Sequence, residues 1–326
     1  MARGWWALGW VCALAQDPGV ADFKPELTRP PDFKEFWAAQ LQTLRKDPFN
    51  VKMTETVDSN KPKASNRVWE IKYPSADGKT EVWGWYSAPS EAGDGKKAPA
   101  VVSIPAFGGR RGNAAPRYPN ACGLVVGYRG DADNTWPADW ITRGLDKAEN
   151  SVFRVHYLNM VNAIRFLQTR PEVDAKRVFL QGGSLGGAMC VVVAGLLERD
   201  VAGIVAHVPG MDYYFYKDGK PAESSFRQME QFVEKQPAAD RERILRILGY
   251  YAPLNFAPDV TAEVLFSCGG KDALCFPRMV YAVYNHLPGA KEIKFYPEGG
   301  HGSGPGLSDD WPKVSREWLA KRLKGP

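Results

Sequence analysis

Several sequence features are missing from this chain, and each absence argues against a class of protein. Beyond the first residues, no uninterrupted apolar stretch approaches the roughly 18 residues of a membrane-spanning helix, so we expect a soluble protein without a membrane partner. Charges of both signs are interspersed without a run of five alike, and the net charge is only +5, which gives no support for binding nucleic acid. With 44% hydrophobic and 24% charged residues among 326, the composition is that of an ordinary globular protein.

Cysteine is scarce, and its spacing does not indicate a metal site. After residue 15 the chain contains neither a Cys-x-x-Cys pair nor a Cys/His cluster with zinc-ligand spacing, so we expect no structural metal. Cys190 lies in an apolar helical segment and is expected to be a buried small hydrophobe. Cys268 and Cys275 flank a loop and could form a local disulfide if their Cα atoms come within about 7 Å. The remaining cysteine of this part is Cys122.

The first 15 residues have the composition of a secretory signal peptide. Arg3 gives a basic start, a short apolar stretch runs over 4–15, and Ala13-Leu14-Ala15 has the small-residue pattern of a cleavage site. The apolar stretch is too short to span a bilayer, which favours cleavage over anchoring. We therefore expect a secreted or periplasmic protein, the alternative being an amphipathic or buried first helix.

Residues 16–65 read as a polar N-terminal extension. Within it, PDFKEFWAAQLQTLRKD repeats apolar residues at spacings of three and four, which predicts an amphipathic helix packed on the main domain. The next segment, 67–89, alternates apolar and polar residues on either side of Asp77-Gly78, which predicts a hairpin of antiparallel strands. The apolar positions of the helix are Phe33, Phe36, Trp37, Leu41 and Leu44.

From residue 99 onward, short continuous apolar runs alternate with helical segments. This pattern predicts an α/β domain over 66–326, with a mostly parallel central sheet, antiparallel strands at its front and helices on both faces. The segment 221–250 is expected to be a helical insertion that lies over the site as a partial lid. The expected strands are 99–104, 123–127, 177–182, 201–208, 263–268 and 292–296, and the expected helices lie near 151–169, 185–198, 277–287 and 309–323.

The sequence VFLQGGSLGGAM places one serine among glycines, between a predicted strand and a predicted helix. Gly182, Ser184 and Gly186 fit the Gly-x-Ser-x-Gly pattern of a nucleophile elbow, in which the sharp turn leaves no room for Cβ atoms beside the apex. A phosphate-binding loop is excluded because neither Gly-Lys-Ser/Thr nor Gly-x-Gly-x-x-Gly is present in this segment. We predict that Ser184 is a nucleophile, the alternative being an inert turn whose serine caps the helix.

A serine nucleophile needs a general base, and that base needs an acid to fix its tautomer. His301 is the candidate base, because it stands in a glycine-rich loop between a predicted strand and the last predicted helix. Asp272 is favoured over Asp212 as the acid, because its strand should neighbour the strand that leads to His301. The order Ser184, Asp272, His301 is that of α/β-hydrolases. We assign structural roles to the other histidines, His156, His207 and His286.

Two backbone N–H groups are expected to form the oxyanion hole of such a site. One belongs to Leu185, which follows the serine at the start of the predicted helix. The other comes from the loop IPAFGGRRG after the strand 99–104, where Phe107 is our candidate and Ala106 the neighbouring alternative.

An ordered series of segments then connects the chain to a known family. It resembles carbohydrate esterase family 7, the acetyl xylan esterase and cephalosporin C deacetylase group of α/β-hydrolases, over residues 30–323. The resemblance implies the triad Ser184, Asp272 and His301, and an oxyanion hole at Phe107 and Leu185. It implies deacetylation of sugars, an oligosaccharide or small-molecule ester substrate, no metal or organic cofactor, and a homo-oligomer. The segments are PDFKEFWAAQL, GYRGDADN, VFRVHYLNMVNAIRFLQTRPEVDAKRVFLQGGSLGG, YYAPLNFAPDVTAEVLFSCGGKDALCFP and VYAVYNHLPGAKEIKFYPEGGH.

The chain departs from this family beside the predicted site. Members commonly have His-Gly-Tyr where Pro105-Ala106-Phe107 stand, and glutamine where Leu185 stands, so the wall of the pocket differs while the backbone donors remain. Four aromatic residues in nearby loops either face a sugar ring or simply pack, namely Trp136, Trp140, Tyr213 and Tyr214.

Three other functions compete with a sugar deacetylase. One is a broad-specificity carboxylesterase. Another is a serine peptidase of the prolyl-oligopeptidase type, but such chains normally carry a large β-propeller, which we do not expect here because only residues 1–98 precede the predicted α/β core. The last is a catalytically silent binding protein, against which the complete and correctly ordered triad argues.

Overall fold

The computed structural model describes residues 18–44, 50–56, 66–93, 95–107, 116, 118–127, 139–210 and 227–324. The predicted signal peptide, 1–15, lies outside the described residues. So do Trp136, Asp212, Tyr213 and Tyr214, together with the first residues of the predicted insertion.

A nine-stranded sheet runs through the centre of the molecule. The strands are Lys52–Thr56 (β1), Asn66–Pro74 (β2), Glu81–Pro89 (β3), Ala98–Ile104 (β4), Cys122–Val126 (β5), Val173–Gly183 (β6), Gly203–His207 (β7), Glu263–Gly269 (β8) and Lys291–Tyr296 (β9). Their order is β1-β2-β3-β5-β4-β6-β7-β8-β9. The pairs β1–β2, β2–β3 and β3–β5 are antiparallel. The pairs β5–β4, β4–β6, β6–β7, β7–β8 and β8–β9 are parallel. The predicted α/β class with a mostly parallel sheet is confirmed.

Helices cover both faces of this sheet. They are Pro18–Ala21 (α1), Phe33–Thr43 (α2), Val152–Thr169 (α3), Leu185–Leu197 (α4), Arg227–Glu234 (α5), Ala238–Gly249 (α6), Pro277–Tyr284 (α7) and Leu307–Leu323 (α8). The larger hydrophobic core includes α3, α4 and α7, while a smaller core packs Trp311, Trp318 and Leu319 of α8 on the opposite face. Because the side chains of a strand alternate, neighbouring residues such as Val101 and Val102 enter different cores.

The predicted hairpin joins β2 and β3. The Ser75 N–H donates to the Thr80 carbonyl over 2.8 Å, and Gly78 takes a φ of 69°, which a residue without a Cβ adopts readily. The edge strand β1, on the far side of β2, is not among the predicted strands. Helices α5 and α6 lie between β7 and β8, inside the segment 221–250, whose role as a lid stays a prediction.

The N-terminal segment is tied to the last third of the chain. Arg29 donates through Nε to the Asn255 carbonyl over 2.7 Å, and its guanidinium pairs with Asp259 at 2.6 Å. His286 Nε2 lies 2.7 Å from the Pro25 carbonyl. In α2, Phe33, Phe36 and Trp37 are buried as predicted, packing on the aromatic rings of Tyr250, Tyr251 and Phe256.

No helix among the described residues has the length and apolar character needed to cross a membrane.

Candidate active site

Ser184 occupies the turn at which β6 passes directly into α4. Its backbone has φ 51° and ψ −124°, a region that side-chain-bearing residues rarely adopt and that is typical of a strained nucleophile elbow. The Ser184 N–H donates to the His207 carbonyl over 2.9 Å, and its own carbonyl accepts from the Gly210 N–H at 3.0 Å. The backbone therefore holds the serine at the carboxyl end of the parallel strands.

Close packing explains the glycines around this serine. A Cβ on Gly182 would lie 2.5 Å from the carbonyl carbon of Gly186, and a Cβ on Gly186 would lie 2.3 Å from the Ile104 carbonyl oxygen. Real Cβ atoms do not approach other heavy atoms so closely, so these two positions require glycine. The spacing that suggests an elbow in the sequence has this steric origin.

Asp272 follows β8 and is almost completely buried, with 1% of its side chain exposed. Its Oδ1 accepts the backbone N–H groups of Leu274, at 2.9 Å, and Cys275, at 2.8 Å. Its Oδ2 lies 2.9 Å from Nδ1 of His301. Three donors therefore fix the orientation of this carboxylate and stabilise it in a water-poor environment.

His301 follows β9 and completes a chain of hydrogen bonds. Its Nε2 lies 3.1 Å from the hydroxyl oxygen of Ser184. Since the Asp272 carboxylate can only accept, Nδ1 carries the proton and Nε2 is left free to accept the serine hydroxyl hydrogen. The loop is held to its neighbour by the Lys271 N–H, which donates to the Gly299 carbonyl over 2.8 Å. The arrangement can accept a proton from the hydroxyl and stabilise the resulting imidazolium.

Phe107 and Leu185, the predicted oxyanion donors, lie at the same edge of the sheet. Leu185 opens α4, where unpaired backbone N–H groups point out of the helix. The loop after β4 lies against this helix start, because a Cβ on Gly186 would meet both the Ile104 and Pro105 carbonyl oxygens. Phe107 is 54% exposed, while Leu185 is buried. A negatively charged oxygen near this helix start is favoured by its dipole.

Trp140 lies behind Phe107, with 5.5 Å between the two ring centroids. It is buried, and its ring also packs on Phe153 and His156 of α3. Trp140 therefore acts mainly as packing that supports the exposed Phe107 ring. His156 belongs to this buried cluster, and His286 lies at the contact with Pro25.

His207 ends β7 and lies closer to the site than its assignment as a structural histidine suggests. Its carbonyl receives the Ser184 N–H, and its Nδ1 lies 2.8 Å from the Ser267 hydroxyl oxygen. The chain position of His207 before Pro209-Gly210 shows nothing of this, because its partners lie on other strands and loops.

The cysteines of the described residues are all free and buried. Burial raises the pKa of the Cys268 thiol strongly, and the nearby Asp272 charge raises it further. The disulfide considered for Cys268 and Cys275 is not formed in this structure. Burial alone raises the pKa of Cys190 far above its ordinary value, in keeping with its expected role as a small hydrophobe.

One group of side chains in the described part of the chain has the composition of a metal site. Asp272, Cys275 and His301 each offer a ligand atom, and these atoms lie within 4.8 Å of one another. Spacing along the sequence does not reveal the group, because its members come from two loops. The Asp272 carboxylate is already held by three hydrogen-bond donors, and His301 already bridges it to Ser184. The observed contacts therefore suit proton transfer.

Comparison with known proteins gives a consistent result. A sequence profile of the family described as acetyl xylan esterase (AXE1) matches residues 18–317. The acetyl esterase Axe7A of Xylanibacter ruminicola is 26% identical over 324 residues, covering 92% of this chain and 69% of that protein.

Two solved structures share the whole architecture. The acetyl xylan esterase from Paenibacillus sp. R4 has 26% identity and a TM-score of 0.79, covering 93% of this chain and 99% of that chain. Acetyl xylan esterase 1 from Thermoanaerobacterium sp. JW/SL YS485 has 21% identity and a TM-score of 0.76, with 94% and 98% covered. At that lower identity the second likeness shows the fold alone.

Proposed function

The chain belongs to the acetyl xylan esterase family and is a carboxylic ester hydrolase of the α/β-hydrolase fold, and from this premise we propose its substrate and mechanism. The proposed reaction is removal of acetyl groups from acetylated xylan or oligosaccharides through an acyl-enzyme on Ser184. The acetyl esterase activity for which its relatives are named supports the acetyl group. The continuous hydrogen bonds from Ser184 through His301 to Asp272 are the observation that carries the mechanism.

The first half of the proposed reaction forms the acyl-enzyme. His301 Nε2 takes the hydroxyl proton of Ser184 while the serine oxygen attacks the ester carbonyl carbon. The buried Asp272 carboxylate stabilises the imidazolium and keeps Nδ1 protonated. The N–H groups of Leu185 and Phe107 stabilise the oxyanion, and such a donor typically contributes roughly 10²–10³ in kcat. The sugar alcohol leaves with the proton from His301.

The second half hydrolyses that intermediate. With the alcohol gone, His301 removes a proton from a water molecule, which attacks the acetyl carbonyl carbon of the acyl-enzyme. The carbon–oxygen bond to Ser184 then breaks, His301 returns the proton to the serine oxygen, and acetate leaves. The partial exposure of His301, 27% of its side chain, supports access of water to this base.

The exposed Phe107 ring is our candidate contact for the sugar. Its partner Trp140 is buried and fixed by the rings of α3, so Phe107 packs on a rigid support. An aromatic face presented in this way suits the apolar face of a pyranose ring. The substrate preference is therefore proposed to depend on the loop after β4.

A substrate panel tests this proposal. Wild type and Ser184→Ala are assayed with p-nitrophenyl acetate, with longer p-nitrophenyl acyl esters, with acetylated xylooligosaccharide and with an aminoacyl-p-nitroanilide. We expect wild type to release acetate from the first and third substrates, to be slower on longer acyl chains, and to spare the anilide. Ser184→Ala should lose activity on every ester.

Three outcomes would contradict parts of the proposal. Full esterase activity of Ser184→Ala would exclude the acyl-enzyme mechanism. Equal rates with long and short acyl chains would indicate a broad-specificity carboxylesterase. Preferential cleavage of the anilide would indicate a peptidase.

We also propose that the protein is exported and that its signal peptide is cleaved after Ala15. The sequence of residues 1–15 supports this, and N-terminal mass spectrometry of the protein produced by a secreting host tests it. A mature chain that begins at Gln16 is expected. A chain that keeps residues 1–15 and stays inside the cell would contradict export. Light scattering on the same sample tests the expected homo-oligomer.

A further inference from the structure

His207 links the two halves of the site through contacts that its chain position does not suggest. Its backbone carbonyl accepts the Ser184 N–H over 2.9 Å, so it is bonded to the apex of the elbow. Its imidazole faces the opposite way, toward the loop that carries His301. A Cβ built on Gly302 would lie 3.7 Å from His207 Nε2, so the ring packs against the Gly302 backbone, which raises the pKa of His207 as an acceptor for the ring N–H.

The hydrogen bonds around the ring define its tautomer. The Val208 N–H donates to the Ser267 hydroxyl oxygen over 2.9 Å, and the same oxygen lies 2.8 Å from His207 Nδ1. The bond to Gly302 requires a proton on Nε2, because a carbonyl oxygen can only accept. In the neutral ring Nδ1 is then an acceptor, which receives the Ser267 hydroxyl hydrogen. Burial lowers the pKa of His207 and favours this neutral form.

The ring is also fixed from the side of α8. The indole of Trp311 stacks on the imidazole, with 5.3 Å between centroids and 12° between planes. Val208, the next residue, has a φ of 37°, an unusual value for a β-branched residue and a sign that the surrounding contacts dictate the backbone here. His207 is therefore held by strand β8, helix α8 and the elbow. Because its ring is fixed in this way, it can restrain the position of Gly302.

We propose that His207 is a positioning residue for the reaction, which holds the His301 loop through Gly302 at the distance from Ser184 that proton transfer requires. This inference rests on the proposed function of Ser184 and His301. Other contacts also hold this loop, namely the bond from the Gly300 N–H to the Ser303 carbonyl, 2.7 Å, and the bond between His301 Nδ1 and Asp272, but they act on residues beside Gly302. Loss of the His207 bond should let His301 Nε2 move away from the serine hydroxyl.

Three substitutions separate positioning from simple packing. His207→Phe keeps a flat ring against Trp311 but cannot donate to Gly302. His207→Gln carries an amide N–H at the end of a side chain of similar reach, so it restores the donor. His286→Gln is the matched control, because His286 is also a partly buried histidine next to a backbone carbonyl, that of Pro25, and lies outside the site.

The measurements are kcat and KM with p-nitrophenyl acetate, together with the thermal midpoint of each variant. We expect His207→Phe to lose roughly 10- to 100-fold in kcat with KM little changed, as for other misplacements of a catalytic group by about 1 Å. His207→Gln should recover most of that loss, and His286→Gln should match wild type. Equal kcat for wild type and a folded His207→Phe would overturn the proposal.

A further pair covers the case in which His207→Phe does not fold. His207→Asn places its amide near the former Nδ1 position, facing Ser267, while His207→Gln reaches Gly302. A lower kcat in His207→Asn than in His207→Gln, at similar thermal midpoints, supports positioning, and equal kcat values overturn it.

Ser184→Ala is measured in the same series. If it stays active, the proposed mechanism fails, whereas an inactive Ser184→Ala with fully active His207 variants defeats only the inference about His207.

Discussion

The elbow around Ser184 and the loops that carry Asp272 and His301 meet at the candidate active site, but different interactions hold them in position. At the elbow, backbone sterics set the geometry: Cβ atoms on Gly182 or Gly186 would meet other backbone atoms within 2.6 Å. In the loops, side-chain hydrogen bonds set it, through the donors to the Asp272 carboxylate and the contacts of His301.

This difference explains what each region tolerates. A steric constraint forbids added atoms but is indifferent to the chemistry of the apex side chain, so the serine can be replaced without disturbing the turn. A hydrogen-bond constraint is indifferent to small changes of volume but fails when one donor or acceptor is lost. Substitutions of the elbow glycines should therefore act mainly on stability, and substitutions of Ser184 or of the loop residues mainly on catalysis.

Asp272→Asn is the strongest test of the loop half of this comparison. The amide oxygen can still accept from the Leu274 and Cys275 N–H groups, which leaves the amide N–H₂ facing His301 and favours the wrong tautomer. We expect kcat to fall by about 10⁴ with little loss of thermal stability, as in serine hydrolases of similar geometry. Steady-state kinetics and thermal unfolding check this, with Asp240→Asn, at a half-exposed aspartate outside the site, as the control. A large fall in the unfolding midpoint would contradict the comparison, because Asp272 would then contribute to stability as the elbow glycines do.

Gly186→Ala tests the elbow half. The new methyl group would lie 2.3 Å from the Ile104 carbonyl oxygen, so the helix start and the loop after β4 must separate. We expect a loss of about 1–3 kcal/mol in the free energy of unfolding, the usual range for overpacking. Gly183→Ala is the matched control, because its nearest contact would be an ordinary 3.6 Å to the His207 carbonyl. Urea denaturation of the two variants compares them, and equal stabilities would contradict the steric account.

The pH dependence of stability provides a smaller test on the loop side. Burial lowers the pKa of His207 below its ordinary value of about 6.5, and the neighbouring His301 lowers it further, while the Asp272 charge raises it. The unfolded chain therefore binds this proton at a higher pH than the folded chain. The contribution of His207 to stability is fully present above the ordinary pKa, and it is lost as the pH falls through that value toward the lower folded pKa.

Thermal midpoints measured on both sides of this window provide the check. Between about pH 7.5 and pH 5.5, wild type should lose more stability than His207→Gln, which has no group to protonate at that position. Parallel changes in the two proteins would show that His207 binds its proton at the same pH in the folded and the unfolded chain, and would remove it from the explanation.

The smallest effect is expected from chelation. If hydrogen bonds hold the loops together, then Asp272, Cys275 and His301 need no ion, although their ligand atoms lie within 4.8 Å of one another. Treatment with EDTA, followed by dialysis, should leave kcat and the thermal midpoint unchanged. A loss of both that zinc restores would show that these loops are joined by a metal.

The fold was largely readable from the chain because each central strand is an uninterrupted apolar run. The predicted strands 177–182 and 263–268 correspond to parts of β6 and β8. The edge strand β1 was missed because its sequence, KMTET, is polar and mostly exposed, so no apolar run marks it. The start of β6 at Val173 was missed for a related reason, since the polar stretch DAKR continues the strand before its apolar part.

The site was readable only where its chemistry is local in sequence. Glycine spacing marks Ser184, and strand order brings Asp272 and His301 to one edge. The contact between His207 and Gly302, and the grouping of Cys275 with the two loop residues, depend on how loops from distant parts of the chain approach each other. No periodicity or motif indicates such an approach, so the contacts of these residues can be recognised only in the structure.

The ties between the N-terminal segment and the last third of the chain also constrain biosynthesis. The partners of Pro25 and Arg29, and the rings of Tyr250, Tyr251 and Phe256 that pack on α2, lie between residues 250 and 286, so a ribosome has made most of the polypeptide before these contacts can form. Until then, Phe33, Phe36 and Trp37 have no completed surface to bury against. The segment that is synthesised first is therefore among the last to reach its final place, and a nascent chain must be kept from aggregating through these aromatic side chains in the meantime.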